Sequence, residues 1–245
     1  MTDFMIGNET ILIKYFGKAK HIIIPDNVKI IGEGAFENCD WIKSVKLPEG
    51  VVSIRDNAFK NCSELQTINL PDSLRAIGNS AFHVCCALAN VIIPNNLEII
   101  GAEAFSSCSS ITSITIPNSV TVIGYGAFSY CHKLEHITLP NGITSIDDET
   151  FESCWKLADL TIPDGVTSIG DSAFFGCKLL TKITIPDSVT KIGTAVFMAC
   201  KKLEQIIYLG TKDGWENIDT DCSWDLDSSD YIVRCIDGDI DYYED

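Results

Sequence analysis

Of 245 residues only 18 are Lys or Arg against 34 Asp or Glu, and His and Met number four and three. The shortage of positive charge, a net of -16, excludes nucleic acid and anionic lipid as natural partners of the whole chain, because a phosphate-binding face has to be basic. No apolar stretch approaches the ~18–20 residues of a membrane-crossing helix; the longest runs are of the Ile22-Ile23-Ile24 kind. Met1-Thr2-Asp3-Phe4 has neither a basic start nor an apolar signal segment, so a cytoplasmic location is expected, with a surface or secreted one as the alternative. Despite 11 cysteines there is no C-x-x-C pair, which removes the usual zinc spacing. G-x-S-x-G and the glycine-rich phosphate loop are absent too. What remains, 46% hydrophobic and 21% charged, is enough to build a folded core.

The eight prolines are what the sequence does have, and they stand at Pro25, Pro48, Pro71, Pro94, Pro117, Pro140, Pro163 and Pro186, a constant step of 23. The same step carries Cys39, Cys62, Cys85, Cys108, Cys131, Cys154, Cys177 and Cys200, and Phe36, Phe59, Phe82, Phe105, Phe128, Phe151, Phe174 and Phe197. A fixed period of this length marks a solenoid, in which one repeat cannot bury its own apolar face and stacking supplies the core. One unit reads L-x-x-I-x-I-P-[DN]-[SGN]-V-x-x-I-G-x-x-A-F-x-x-C-x-x. Leu160-Thr161-Ile162 alternates in the manner of a short strand, proline ends it, Val166 and Ile169 return apolar side chains inward, and Gly170 turns a corner. Asp171-Ser172-Ala173-Phe174 then opens a predicted helical turn whose Phe fills the interior. At the alanine column only Thr150 and Val196 depart.

This pattern resembles the BspA-like leucine-rich repeat, the 23-residue class, over residues 20 to 209. The resemblance implies an α/β repeat solenoid: a right-handed leucine-rich-repeat coil with a parallel sheet on one face and short helical or 3-10 turns on the other. The expected division is an N-terminal cap at 1–20, eight repeats over 21–209 and an acidic C-terminal cap at 210–245. The family's members are often surface or secreted proteins that bind host proteins.

Stacked columns place their cysteines about 4.8 Å apart with parallel side-chain vectors, unsuited to the facing geometry of a disulfide. They read as a ladder of buried small hydrophobes. Cys86, Cys222 and Cys235 lie outside it, with a Cys222–Cys235 bridge as the exception to weigh. His132-Lys133-Leu134-Glu135-His136 satisfies H-x-x-E-H, the zinc motif of one metalloprotease class. Leu134 and Ile137 fall in core columns, however, which puts His132 on a turn and His136 on a strand. The metal-dependent hydrolase that His132, Glu135 and His136 suggest is therefore the remote alternative, and neither a metal nor a cofactor is expected. From Thr211 onward 12 acids face only Lys212 and Arg234, ten of the net negative charges. No EF-hand loop is complete there, so a solvated acidic cap is expected.

Function should show where the repeat is broken. The strand face is small, polar and free of aromatics. On the turn edge, Tyr130, Trp155, Phe175, Leu179 and Met198 occupy outward columns of adjacent coils, with Lys133, Lys156, Lys178 and Lys201 beside them. An apolar strip flanked by positive charge on an acidic chain fits an acidic or partly apolar protein. The opposing reading folds these side chains down as peripheral core under lysine stems. The expected function is a non-catalytic protein-interaction scaffold, with a surface adhesin as the alternative.

Overall fold

The computed structural model describes residues 3–8, 10–221, 223–225 and 227–242. Each 23-residue unit makes one coil, called here by its proline. The residues before proline form a first file of short parallel strands that includes His21–Ile23, Ser44–Lys46, Thr67–Asn69, Ser113–Thr115, His136–Thr138, Asp159–Thr161, Lys182–Ile185 and Gln205–Tyr208. The residues after it form a second file of two-residue strands, among them Ile77 on Ile100 and Ile169 on Ile192, always one period apart. Neither file can bury both faces, so the alternate side chains (Ile22, Ile24, Val28, Ile31 in the Pro25 coil) turn inward and meet those of the other file.

The third side is not helical. Its chain closes i to i+3 bonds, as in Ala35 N to Gly32 O, Glu37 N to Gly34 O and Cys39 N to Phe36 O, but the intervening amides point to the next coil: Gly34 to Asp56 O, Phe36 to Ala58 O and Asn38 to Lys60 O, at 2.7 to 3.0 Å. That alternation requires two left-handed residues per coil, and the second of these positions is held by Val84 (φ 60°) and Tyr130 (φ 58°) as well as by Gly176. The short helical turns thus appear as turns cross-linked to their neighbours. Among the described residues the one α-helix is Lys212–Glu216, capped by Thr211.

Inside, the Phe column runs unbroken from Phe36 to Phe197, with near-parallel rings 4.9 to 6.0 Å apart. Phe4 and Tyr15 close it at one end and Trp224, with Trp215 and Tyr231, at the other. Each ladder thiol from Cys62 to Cys200 donates to the carbonyl of the Phe 26 residues earlier at 3.2 to 3.3 Å. The ten cysteines among the described residues are unbridged; the proposed Cys222–Cys235 pair lies partly outside the described residues. The caps continue the sheets: Ile11–Tyr15 pairs with Ile30–Ile31, and Tyr231–Cys235 with Gln205–Tyr208 before turning back as Gly238–Tyr242. No described helix is long and apolar enough to cross a membrane.

Coil corners explain the glycine column. Asp148 Oδ1 accepts from Asp171 N at 2.8 Å, and a β-carbon on Gly170 would stand 2.5 Å from Asp148 N. Gly170→Ala is expected to cost about 1–3 kcal/mol as overpacking, measured by denaturant unfolding.

The ladders lapse in two places. In the Pro94 coil the first file is reduced to an isolated bridge, Thr67 to Asn90, while the second file continues. At the Pro140 coil both files lapse: His136–Thr138 pairs only with Ser113–Thr115, and Ser145–Ile146 only with Ser168–Ile169.

Candidate protein-contact surface

The turn edge of the Pro117 to Pro186 coils places the strip residues in four files. His132, Trp155, Lys178 and Lys201 form one file, since they are spaced by one period, and the first three stack. The His132 and Trp155 rings lie 3.7 Å apart at 11°, and Lys178 Nζ sits 4.1 Å over the other face of the indole. Trp155 is held between an imidazole and an ammonium, yet 40% of its surface remains exposed. Leu179 beside it is 38% exposed and Tyr130 41%. Phe175 and Met198, in their own file, are half-buried. His132 went unassigned to the strip in the sequence; its place one period before Trp155 is the signal that finds it.

Much of the strip's polarity is satisfied within the chain. Tyr130 donates to Glu152 at 2.8 Å, a bond that pushes the phenol up to about 12. Tyr125 donates likewise to Glu149. Lys156 pairs with Glu135 at 2.8 Å, which holds that carboxyl below the usual range, and Lys201 pairs with Asp227. Lys133 and Lys178 have no carboxylate partner among the described residues. The positive flank is therefore narrower than the lysine count suggests.

The H-x-x-E-H residues do not converge. His132 Nδ1 lies 3.0 Å from Ser153 O, Glu135 is committed to Lys156, and His136 stands exposed on a strand. Among the described residues no group of three His, Cys, Asp or Glu is placed to hold a metal ion. The acidic cap is dispersed: Asp225 accepts from Tyr231, Asp227 meets Lys201, and Asp237 accepts from Lys212 N.

On the strand face shallow clefts lie at the lapses. One of about 440 Å³ is lined by His136, Thr138, Asn141, Asp159 and Thr161. At the Pro94 coil, one of about 510 Å³ is lined by Lys46, Asn69, Asn90 and Ile92, the last 84% exposed, and one of about 390 Å³ by Ile92, Asn95, Ser113 and Thr115.

Coils repeating every 23 residues, parallel strands on two sides and an apolar column within define a leucine-rich-repeat solenoid. The chain belongs to the BspA type leucine rich repeat family, whose repeat region matches residues 12–135 and 122–222 in six copies. Solved relatives agree. A leucine-rich repeat protein from Bacteroides ovatus is 28% identical and superposes with a TM-score of 0.78 over 94% of this chain and 68% of its own. The T. pallidum leucine rich repeat protein is 33% identical, with a TM-score of 0.65 over 82% and 88%. A leucine rich cell surface protein from Faecalibacterium prausnitzii is 25% identical, with a TM-score of 0.56 over 90% and 96%. No curated protein matches the chain.

Proposed function

We propose that this protein is a non-catalytic protein-binding scaffold whose contact surface is the turn edge around Trp155 and Leu179. The observation that carries the reading is the clamped indole. An exposed aromatic already held in place by His132 and Lys178 loses little freedom on binding, which is what makes rigid aromatics effective anchors. Lys133 and Lys178 add the charge that suits an acidic partner, and Tyr130, Phe175, Met198, Lys156 and Lys201 form its structured surround. This reading places the scaffold in the cytoplasm, a setting with which its buried free thiols are compatible. A second reading, contact with host proteins at the cell surface, is favoured by the Faecalibacterium relative's description as a cell surface protein. Cell fractionation separates the two.

The contact surface is tested with a photo-crosslinking residue at Leu179 and, as control, at Thr161 on the strand face. Crosslinks are expected from position 179 alone and are expected to vanish in Trp155→Ser, with unfolding free energy changed by no more than about 1 kcal/mol. Crosslinks that survive the substitution, or a loss of stability several times larger, would return the strip to peripheral core.

A further inference from the structure

The lapse at the Pro140 coil differs from the one at Pro94 because both strand files stop there. Amides that are bonded in the coils on either side lose their ladder partners. Thr121 donates to Glu98 and Thr167 to Thr144, but Thr144 has no such bond to Thr121. Gly124 donates to Ile100 and Gly170 to Ile146, whereas Asp147 makes no equivalent bond to Ile123. Ile116 donates to Thr138 and Ile162 to Thr184, while Leu139 does not reach Thr161; Glu135 and Thr181 are bonded, and Ala158 between them is not. Every strand up to Thr138 pairs with the N-terminal half and every strand from Ser145 with the C-terminal half.

The hydrogen bonds and ring contacts that cross the junction lie mainly on the turn side, Asn141 N to Asn118 Oδ1 at 2.9 Å being an exception, while the apolar core continues through it. Gly126, Phe128 and Tyr130 donate to Asp148, Thr150 and Glu152 at 2.7 to 3.0 Å, and the His132–Trp155 stack, the two Tyr–Glu bonds and the Glu135–Lys156 pair span the same boundary. The Phe column is widest here, 6.0 Å between Phe128 and Phe151.

The sequence supplies a cause. This coil departs from the repeat at two packing columns at once, with Asp147 where the corner glycine stands and Thr150 where the small alanine stands. At the corner of the preceding coil a β-carbon on Gly124 would meet Ala102 N at 2.7 Å, and Thr150 is fully buried with its hydroxyl turned back to Asp147 O. Arg55 alone at the corner leaves its ladder intact, donating to Ile31 O at 2.9 Å. The double departure is what sets this coil off.

We propose that segment 139–144 is a hinge joining two solenoid bodies, with the turn edge as its axis and the two strand sides as the opening. The cleft between His136–Thr138 and Asp159–Thr161 is the mouth of that opening. Tyr130 and His132 belong to one body and Trp155 to the other, so bending changes the contact surface; that consequence rests on the reading above, whereas the hinge does not.

Hydrogen exchange of the full chain tests it. The amides of residues 139, 144, 147 and 158 are expected to exchange about tenfold or more faster than their bonded equivalents one period away. In the variant Asp147→Gly with Thr150→Ala, which restores the repeat, they are expected to fall back to the protection of their neighbours. Spin labels separate bending from a static gap, in a background where Cys86, Cys222 and Cys235 are Ser. The distance distribution for Thr115 and Thr184, three coils apart across the hinge, is expected to be broader than for Lys46 and Thr115, also three coils apart, and to narrow in the double variant. Uniform protection along the solenoid, or equal widths for the two label pairs, would overturn the hinge, and neither readout depends on whether Trp155 binds anything.

Discussion

Raising the pH from 8 to about 10 is expected to unfold this protein cooperatively. Cys85, Cys108, Cys131, Cys154, Cys177 and Cys200 are fully buried, and burial pushes each thiol well above its ordinary value near 9, Cys131 and Cys200 to about 12. A raised acid constant means that the folded state holds its protons where the unfolded chain has released them. The stabilisation is therefore fully present below pH 9 and is lost as pH rises from there toward the folded values. Each thiol contributes ~1 kcal/mol per pH unit in that window, and six of them together approach the whole stability of an ordinary domain, roughly 5–15 kcal/mol. The measurement is the free energy of urea unfolding at a series of pH values. Cys62 is equally buried and raised, so replacing Cys108, Cys131 and Cys154 by Ala should lower the slope above pH 9 by roughly two fifths, whatever it does to stability at pH 7. A slope unchanged by the substitutions would show that other groups drive the transition. In native protein at pH 8, a thiol reagent should find only the half-buried Cys86 and Cys235 among the described cysteines.

The architecture was legible because the repeat is nearly perfect: proline, cysteine and phenylalanine each recur at 23 and each has one physical job. The register then fixed which columns are inward, and the ladder thiols, the phenylalanines and the alanines are where the pattern put them. Two features could not be read. The turn side demands left-handed backbone at Val84 and Tyr130, residues whose local preference opposes it, and only the amides donated to the next coil make the conformation pay. Likewise Glu135 with Lys156, and Lys201 with Asp227, are 21 and 26 residues apart, so their pairing depends on how far each side chain leans between coils. The apparent positive strip was overcounted for that reason. Thr150 was visible as a departure in its column, but a single departure leaves the ladder whole, as Arg55 at the corner and Val196 in the alanine column both show, so the lapse appears only where the two coincide.

Phe105→Ala is expected to cost about 3–5 kcal/mol and to lower the melting temperature by roughly 10 °C. The ring is completely buried, stacked at 5.2 Å on Phe82 and at 5.6 Å on Phe128, both within 9° of parallel. Removing it leaves a gap that the neighbours cannot close, because each is itself held by amides donated across coils: Phe82 to Ala104 O, Phe105 to Ala127 O and Phe128 to Thr150 O. In a stack where each repeat touches only its neighbours, weakening one interface uncouples the segments on either side. Calorimetry should therefore show a broadened or split transition as well as a lower one. Phe4→Ala, at the half-buried end of the same column and tilted 40° against Tyr15, provides the comparison. It lies at the end of the column and not within it, so it should lower the transition less and leave it single. Equal losses from the two substitutions would mean that the column acts as a set of independent hydrophobic contacts, and the continuity of the aromatic stack would then carry none of the cooperativity.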